Sequence, residues 1–147
     1  MDSLYPYFLL AHIVCAIIFL GFIFTDVVLL SPIRRLLGDE VADKVFAIIS
    51  RRGVKIMPLC LVLLFLSGGA MISRYVGSTQ GFFETPMQVM LVVKMLLAFA
   101  IMGMVIISLG CKFLGVRNPL GRVIHPIALC LGFIIVVLAK MAFFISF

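Results

Sequence analysis

Four long apolar segments dominate this chain of 147 residues and restrict the folds open to it. A helix needs about 20 mostly apolar residues to cross the hydrocarbon core of a bilayer. The chain provides such segments at residues 7–30, 56–73, 86–110 and 126–146. They leave no stretch long enough for a separate water-soluble domain. We therefore expect residues 1–147 to form a single transmembrane domain in the lipid bilayer, built as an all-α four-helix bundle.

The composition supports a membrane protein and argues against other classes. Hydrophobic residues make up 65% of the chain and charged residues only 12%, whereas soluble domains carry about a quarter charged residues. The formal net charge of +6 comes from the connections between segments, so we expect no nucleic-acid partner. The first apolar segment is too long for the core of a secretory signal and lacks a basic residue before it, so we expect no cleavable leader.

The distribution of basic residues predicts how the chain is oriented in the membrane. Two connections are basic. The one between the first and second segments holds Arg34, Arg35, Lys44, Arg51, Arg52 and Lys55. The one between the third and fourth segments holds Lys112, Arg117 and Arg122. The remaining connection holds only Arg74. Short loops rich in Lys and Arg stay cytoplasmic, which predicts periplasmic termini in a bacterial inner membrane. Tyr5, Tyr7 and Tyr75 then fall at the outer interface, where amphipathic aromatic rings are enriched.

Features between and within the segments predict further details of the bundle. Residues 39–52 have apolar residues at helical spacing and acids in the first turn, which predicts a short amphipathic helix at the cytoplasmic interface. Pro58, Pro86 and Pro126 are each expected in the first turn of a spanning helix. The small residues at 67–70 predict close contact with a neighbouring helix or a second subunit, so a homo-oligomer is one possibility.

Ionisable side chains inside the apolar segments point to a functional site, because they are costly in a bilayer. At a rise of about 1.5 Å per residue, His12, Lys94 and Lys140 lie roughly 8–12 Å from the outer ends of their helices. Asp26 and His125 belong to the opposite, cytoplasmic layer. His12 and His125 are roughly 20 Å apart along the membrane normal, so they cannot both ligate one iron within a subunit.

Each of these groups also has a purely structural explanation. His12 could bond to another helix, and Lys140 could extend toward the outer headgroups. His125 precedes a proline, which favours an interfacial cap or loop position. Asp26 could pair with a cytoplasmic base such as Arg34.

One face of the first segment combines polar ends with an aromatic middle. It consists of His12, Cys15, Phe19, Phe22 and Asp26, which follow alternating spacings of three and four. Such a face suits a flat, amphipathic ligand. Imidazole is a common ligand of haem iron, and a lysine on another helix could meet a carboxylate such as a haem propionate.

Four stretches of the sequence resemble the HemJ-type protoporphyrinogen oxidases and the broader CopD-like group of membrane proteins. They are HIVCAIIFLGFIF, RRGVKIMPLCLVLLFLSGG, MLVVK and GRVIHPIALCLGFIIVVLAKMAFF. The resemblance implies a haem b protein of porphyrin biosynthesis. Such a protein would oxidise protoporphyrinogen IX to protoporphyrin IX and pass the electrons to a membrane quinone.

The resemblance also assigns roles to particular residues. His12 would be an axial ligand of the haem iron. Lys94 would bind a propionate, supply a second ligand or shuttle protons, which makes both residues catalytic, and Lys140 would support Lys94. The other matched positions are Met90, Arg51, Arg52, Pro58, Gly68, Arg122 and Pro126. Met90, Lys140, Arg51 and Arg52 are expected to contribute to cofactor binding together with His12 and Lys94.

Two other functions are compatible with the sequence. One is CopD-like copper transport or handling, with Met87, Met90, Cys15 and His12 as soft ligands for Cu(I). The other is a non-catalytic assembly partner, in which the polar groups only hold helices together. The four cysteines show no metal-binding spacing and are expected to pack as small hydrophobic residues.

Overall fold

The chain is helical throughout most of the computed structural model, which describes residues 2–77, 81–116, 118, 121 and 123–144. Arg117, Arg122 and the predicted end of the last segment lie outside the described residues. A 3-10 turn at Asp2–Leu4 precedes five α-helices: α1 (Tyr5–Phe24), α2 (Ile33–Leu37), α3 (Asp39–Ile72), α4 (Pro86–Phe113) and α5 (Ile124–Phe144). Within the described residues, α1 with its extension, α3, α4 and α5 are long and apolar enough to cross a membrane. The predicted all-α four-helix bundle is confirmed.

The start of α4 shows how the local sequence sets a helix boundary. Thr85 Oγ1 accepts a hydrogen bond from the Gln88 backbone N–H at 3.2 Å, and Gln88 Oε1 accepts one from the Thr85 N–H at 3.1 Å. This reciprocal pair satisfies donors that have no partner within the helix. Pro86 occupies the first turn, as predicted. Gln88 Nε2 also donates to the Tyr75 carbonyl oxygen at 3.0 Å, which fixes the start of α4 to the chain that follows α3.

Helix α3 differs from the prediction. It is one continuous helix of 34 residues, whereas the sequence predicted an amphipathic helix at 39–52 and a separate spanning helix from residue 56. Pro58 therefore lies inside α3, and its expected place in a first turn was wrong. A proline in a helix interior removes one backbone hydrogen bond, which membrane helices tolerate when neighbouring groups satisfy the carbonyl.

The four long helices form a ring in the order α1, α3, α4 and α5. The most extensive packing joins α1 to α3 and α4 to α5, and these two pairs meet through thinner contacts. Helices α1 and α4 are therefore diagonal across the bundle. A buried apolar core fills the middle of the ring, with Phe19, Ile23, Leu61, Ile101, Ala128 and Leu129. Large apolar side chains on the outer faces, such as Ile17 and Leu66, stay exposed, as expected of helices that contact lipid.

Candidate functional site

The imidazole of His12 is held against α3 by a chain of two hydrogen bonds. His12 Nδ1 lies 3.0 Å from Ser67 Oγ, and Ser67 Oγ lies 2.6 Å from the Leu63 carbonyl oxygen. A hydroxyl has one proton, and a carbonyl oxygen can only accept. The Ser67 proton is therefore used toward Leu63, and the His12 Nδ1–H donates to Ser67. In this tautomer the lone pair is on His12 Nε2.

The imidazole also lies directly over the backbone of α3. A Cβ atom added at Gly68 would be 3.0 Å from His12 Cε1, closer than ordinary van der Waals contact. Ser67 beside it is only 4% exposed. The small residues at 67–70 were predicted to contact a neighbouring helix or a second subunit. The structure places this contact against α1 of the same chain.

Lys94 approaches His12 from the diagonal helix α4. The two side chains are close enough to interact electrostatically, although they belong to helices that do not pack directly on each other. Lys94 is half-buried. The two residues predicted to be catalytic are therefore within electrostatic range of each other.

The other residues predicted to bind a cofactor lie in different places. Met90 is partly buried and packs on the apolar cluster formed by Val76, Leu91, Val92 and Ala142. Lys140 is exposed, and its Nζ is 5.5 Å from the centre of the Phe144 ring. Arg51 and Arg52 are exposed on α3, about 22 Å along the helix from the serine that holds His12. Arg51 and Arg52 are thus remote from His12, whereas the described contacts of Met90 and Lys140 are with other residues.

Two of the cysteines contact each other inside the bundle. Cys15 lies one turn after His12 on α1, and its side chain lies beside that of Cys60 on α3. Both are buried. Their pairing could not be predicted from the sequence, because they are separated by 44 intervening residues and have no shared motif. The contact becomes evident only once α1 and α3 are known to be neighbours.

A second polar site lies at the opposite end of the bundle from His12, and its pairing was not predicted from the sequence. His125 Nδ1 is 2.5 Å from Asp26 Oδ2. The prediction that Asp26 pairs with Arg34 was wrong, and so was the placement of His125 in a cap or loop, because it lies in the first turn of α5. The available signal was the shared depth of Asp26 and His125, which the positions along their helices already indicated.

Arg34 has other partners. Its guanidinium donates to Asp39 Oδ1 and to Asp43 Oδ1, both at 2.6 Å. These hydrogen bonds, the one to Asp39 first, raise the pKa of Arg34 above its ordinary value. All three side chains are exposed, and this cluster joins α2 to the start of α3. Arg34 is therefore paired with acids other than Asp26.

The backbone around Asp26 departs from regular α-helix. Residues Thr25–Leu29 form a π-helical turn that extends α1. Such turns insert an extra residue into a helix and occur frequently at functional sites. Asp26 nevertheless lines the same cavity as Phe19 and Phe22, the residues that regular spacing places on one face with it. Phe22, one turn earlier, places the edge of its ring against His125, with 6.4 Å between the ring centroids.

A cavity of about 340 Å³ adjoins the Asp26–His125 pair. Its deeper walls are apolar and include Phe19, Phe22, Phe46, Met57 and Val105. Its polar rim also includes two hydrogen-bonded pairs. Lys112 Nζ donates to Ser50 Oγ at 3.1 Å, and Asn118 Nδ2 donates to Ser108 Oγ at 2.9 Å. We call His12 and its neighbours the outer site, and Asp26 with His125 and the cavity the inner site, after the predicted orientation of the chain.

Comparison with known proteins gives no relative from which a role can be transferred. No family model, no curated protein and no solved structure matches the chain. The resemblance to HemJ-type oxidases thus stays a prediction. The function has to be inferred from the geometry of the outer and inner sites.

Proposed function

We propose that the protein is a haem b-binding membrane redox protein in which His12 is an axial ligand of the iron. The observation that carries this proposal is the hydrogen bond from His12 Nδ1–H to Ser67. Histidines that ligate metals almost always donate their other ring N–H to a nearby acceptor, which fixes the tautomer and the ring orientation. His12 has this arrangement, and its free Nε2 is the nitrogen that would bind iron.

The surroundings of His12 fit the proposed group. Ser67 is a neutral acceptor, so it orients the ring without adding charge. Gly68 lets the imidazole lie flat against α3, which restricts its rotation. Lys94, from the diagonal helix, is the nearby cation that would attract a propionate as a point charge. Bound haem would supply reversible one-electron transfer, while the protein binds, orients and shields it from water.

Within this class, we propose the oxidation of protoporphyrinogen IX, with the electrons passed to a membrane quinone. The support for this finer assignment is the sequence resemblance together with the approach of Lys94 to His12. Removal of hydrogen from the porphyrinogen releases protons, and an amine at this position would accept and hand on such protons. Lys94 would thus act on the substrate side of the outer site.

The visible spectrum of the purified protein tests haem binding. We expect a Soret band from haem-replete cells, and we expect His12→Ala to lose it. His125→Ala is the matched control, because it removes the other histidine that bonds through Nδ1 and should keep the band. A colourless wild-type protein would overturn the haem proposal.

Oxidase activity needs a separate measurement. Vesicles with the wild-type protein, protoporphyrinogen IX and a quinone should gain porphyrin fluorescence. We expect Lys94→Met to slow this gain by about tenfold or more, as is typical for loss of a proton-transfer group. Lys44→Met, which removes an exposed lysine paired with Glu40, should have no effect. Haem-loaded protein without fluorescence gain would refute the oxidase assignment and leave haem binding intact.

One observation favours copper handling as a second candidate function. The contact between Cys15 and Cys60 places two soft sulfur ligands together in the bundle, and thiolates select Cu(I). A colourless protein that binds one Cu(I) per chain and loses it in Cys15→Ser and Cys60→Ser would support this candidate. Exposed Cys130→Ser is the matched control. Binding of neither haem nor Cu(I) would favour a non-catalytic assembly partner.

A further inference from the structure

We propose that the inner cavity binds the head group of a membrane quinone, and that His125 exchanges a proton with one oxygen of that ring. The proposed function names a quinone as electron acceptor and gives it no site. The inference rests on that function only for the source of the electrons. The binding site itself is argued from the cavity.

The size and walls of the cavity suit a single flat ring. Its volume of about 340 Å³ is at the lower end of the 300–1,000 Å³ typical of small-molecule pockets. This volume suits a one-ring head group better than a tetrapyrrole. Aromatic side chains prefer offset or edge-on contacts with another ring, and Phe19, Phe22 and Phe46 line the apolar part.

The Asp26–His125 pair has the geometry of an oriented acid–base group. The Asp26 side chain is 19% exposed and that of His125 is 43% exposed, so the carboxylate is the inner member and the imidazole the outer one. Since the carboxylate accepts from Nδ1, the proton stays on that nitrogen and Nε2 is available to a ligand. Carboxylates hold catalytic imidazoles in the same way, so that Nε2 can take up or release a proton.

The rim offers further hydrogen-bond donors on other helices. Lys112 belongs to α4 and Asn118 follows it, whereas His125 belongs to α5. The hydroxyls of Ser50 and Ser108 each accept one bond, and each keeps its own proton to donate. A ring with two oxygens therefore has possible donors on the cavity lining besides His125.

The charges of the described lining residues favour a neutral ring over a phospholipid headgroup. Phosphate groups are bound by clusters of Arg and Lys, whereas the described lining offers Lys112 with the carboxylate of Asp26 beside His125. That carboxylate would repel a phosphate. A quinone has no charge, and it reaches the cavity from the lipid.

The proton exchange balances with quinone chemistry. A quinone that becomes a quinol gains two electrons and two protons, one proton on each ring oxygen. In the proposed function the electrons come from porphyrinogen oxidation. The protons come from water at the cytoplasmic end, and the oxygen next to His125 receives its proton from Nε2. The protonated form of the ring is then restored from solvent, with the charge compensated by Asp26.

Photoaffinity labelling with an azido-quinone, followed by peptide mass spectrometry, tests the site. We expect the label on peptides of α1 and α5 that line the cavity, and we expect decylubiquinone to compete for it. Asp26→Asn keeps the shape of the side chain and should weaken competition by about tenfold, the change expected for loss of one charge-assisted hydrogen bond. Asp43→Asn, an exposed acid outside the cavity, should leave competition unchanged.

A second variant tests the cavity independently of Asp26. A third variant tests whether quinone labelling depends on the outer site. Val105→Phe fills the apolar part and should abolish labelling, with helix content and gel-filtration profile checked for both cavity variants. His12→Ala should label like wild type, so a failure of haem binding does not remove this test. Label outside the cavity, label that decylubiquinone does not displace, or displacement by phosphatidylglycerol vesicles instead would overturn the proposal.

Discussion

The two histidines of this protein bond to the rest of the chain through the same ring nitrogen, and their partners differ. His12 donates from Nδ1 to the hydroxyl of Ser67, whereas His125 donates from Nδ1 to the carboxylate of Asp26. In both, Nε2 is the nitrogen left for other chemistry. His12 and Asp26, the partner of His125, are separated by about 21 Å along the axis of α1 and its extension. The two histidines are therefore at different levels of the bundle.

The hydrogen-bond partner of each imidazole determines which chemistry that ring can support. A hydroxyl orients an imidazole but cannot compensate a positive charge, so the outer ring is suited to act as a neutral ligand. A carboxylate compensates the charge that an imidazole acquires when it takes up a proton, which suits the inner ring to acid–base work. The buried core around Phe19 and Ile23 separates the two sites. The experiments below test whether they are independent.

The largest effect is expected from adding a side chain beneath the outer histidine. Gly68→Val places a Cβ atom 3.0 Å from His12 Cε1 and adds two methyl groups beyond it, so the ring must move off α3. We expect this variant to lose most of the Soret band. Quinone labelling at the inner site should stay.

Gly69→Val is the matched control for this variant. A Cβ atom at Gly69 has nothing within 4 Å, while the change in helix propensity is the same. We expect it to retain haem. Equal losses in the two variants would show that the close approach of His12 to α3 does not matter for binding.

A smaller effect is expected from removing the partner of the outer histidine. Ser67→Ala deletes the acceptor of the Nδ1–H and frees the ring to change tautomer. Loss of such a partner typically lowers metal affinity by about 10–100-fold. Haem titration of the apoprotein measures this change, and Ser67→Thr, which keeps the hydroxyl, should restore affinity. Equal haem affinities of Ser67→Ala and wild type would show that the hydrogen bond to Ser67 does not contribute to haem binding by His12.

The inner pair should make a measurable contribution to stability. A double-mutant cycle of Asp26→Asn and His125→Gln, measured by unfolding in mixed micelles, should give a coupling energy of about 1–2 kcal/mol. We expect the lower part of the range for hydrogen bonds to charged groups, because His125 is partly exposed. A coupling near zero would indicate that the pair is a weak surface contact. The Soret band should be unchanged throughout the cycle if the two sites are independent.

Much of the fold could be predicted because membrane crossing imposes a simple rule on the sequence. The need for long apolar helices located all four spans, and the Thr85–Gln88 pair with Pro86 set the start of α4. The depth of His12 and Lys94 followed from helical rise alone. The partner of His12 did not, because periodicity gives the level of a residue and not which helix faces it.

The errors share a physical cause. Regular spacing placed Asp26 on the face of Phe22, but it could not show that this face meets His125 of α5. Pro58 was taken as the start of a helix because propensity alone disfavours proline in an interior, and tertiary packing in α3 overrode it. Arg34 is the nearest base to Asp26 in the sequence, but in the fold its guanidinium bonds to Asp39 and Asp43 instead.

The smallest effect is expected at Arg34, whose exposed ion pairs contrast with the half-buried Asp26 that pairs with His125. Arg34 and Asp39 are 52% and 78% exposed, so solvent and salt screen their attraction. We expect Arg34→Gln to change the unfolding midpoint only slightly, and less at high salt.

Because the hydrogen bonds to Asp39 and Asp43 raise the pKa of Arg34, its contribution is fully present below the ordinary pKa of arginine and is lost only as the pH rises through the raised value. The difference between wild type and variant that arises from Arg34 titration should therefore be constant from about pH 6 to pH 9. A destabilisation as large as that of Asp26→Asn would contradict the view that burial, rather than the presence of an ion pair, separates the inner site from the surface cluster.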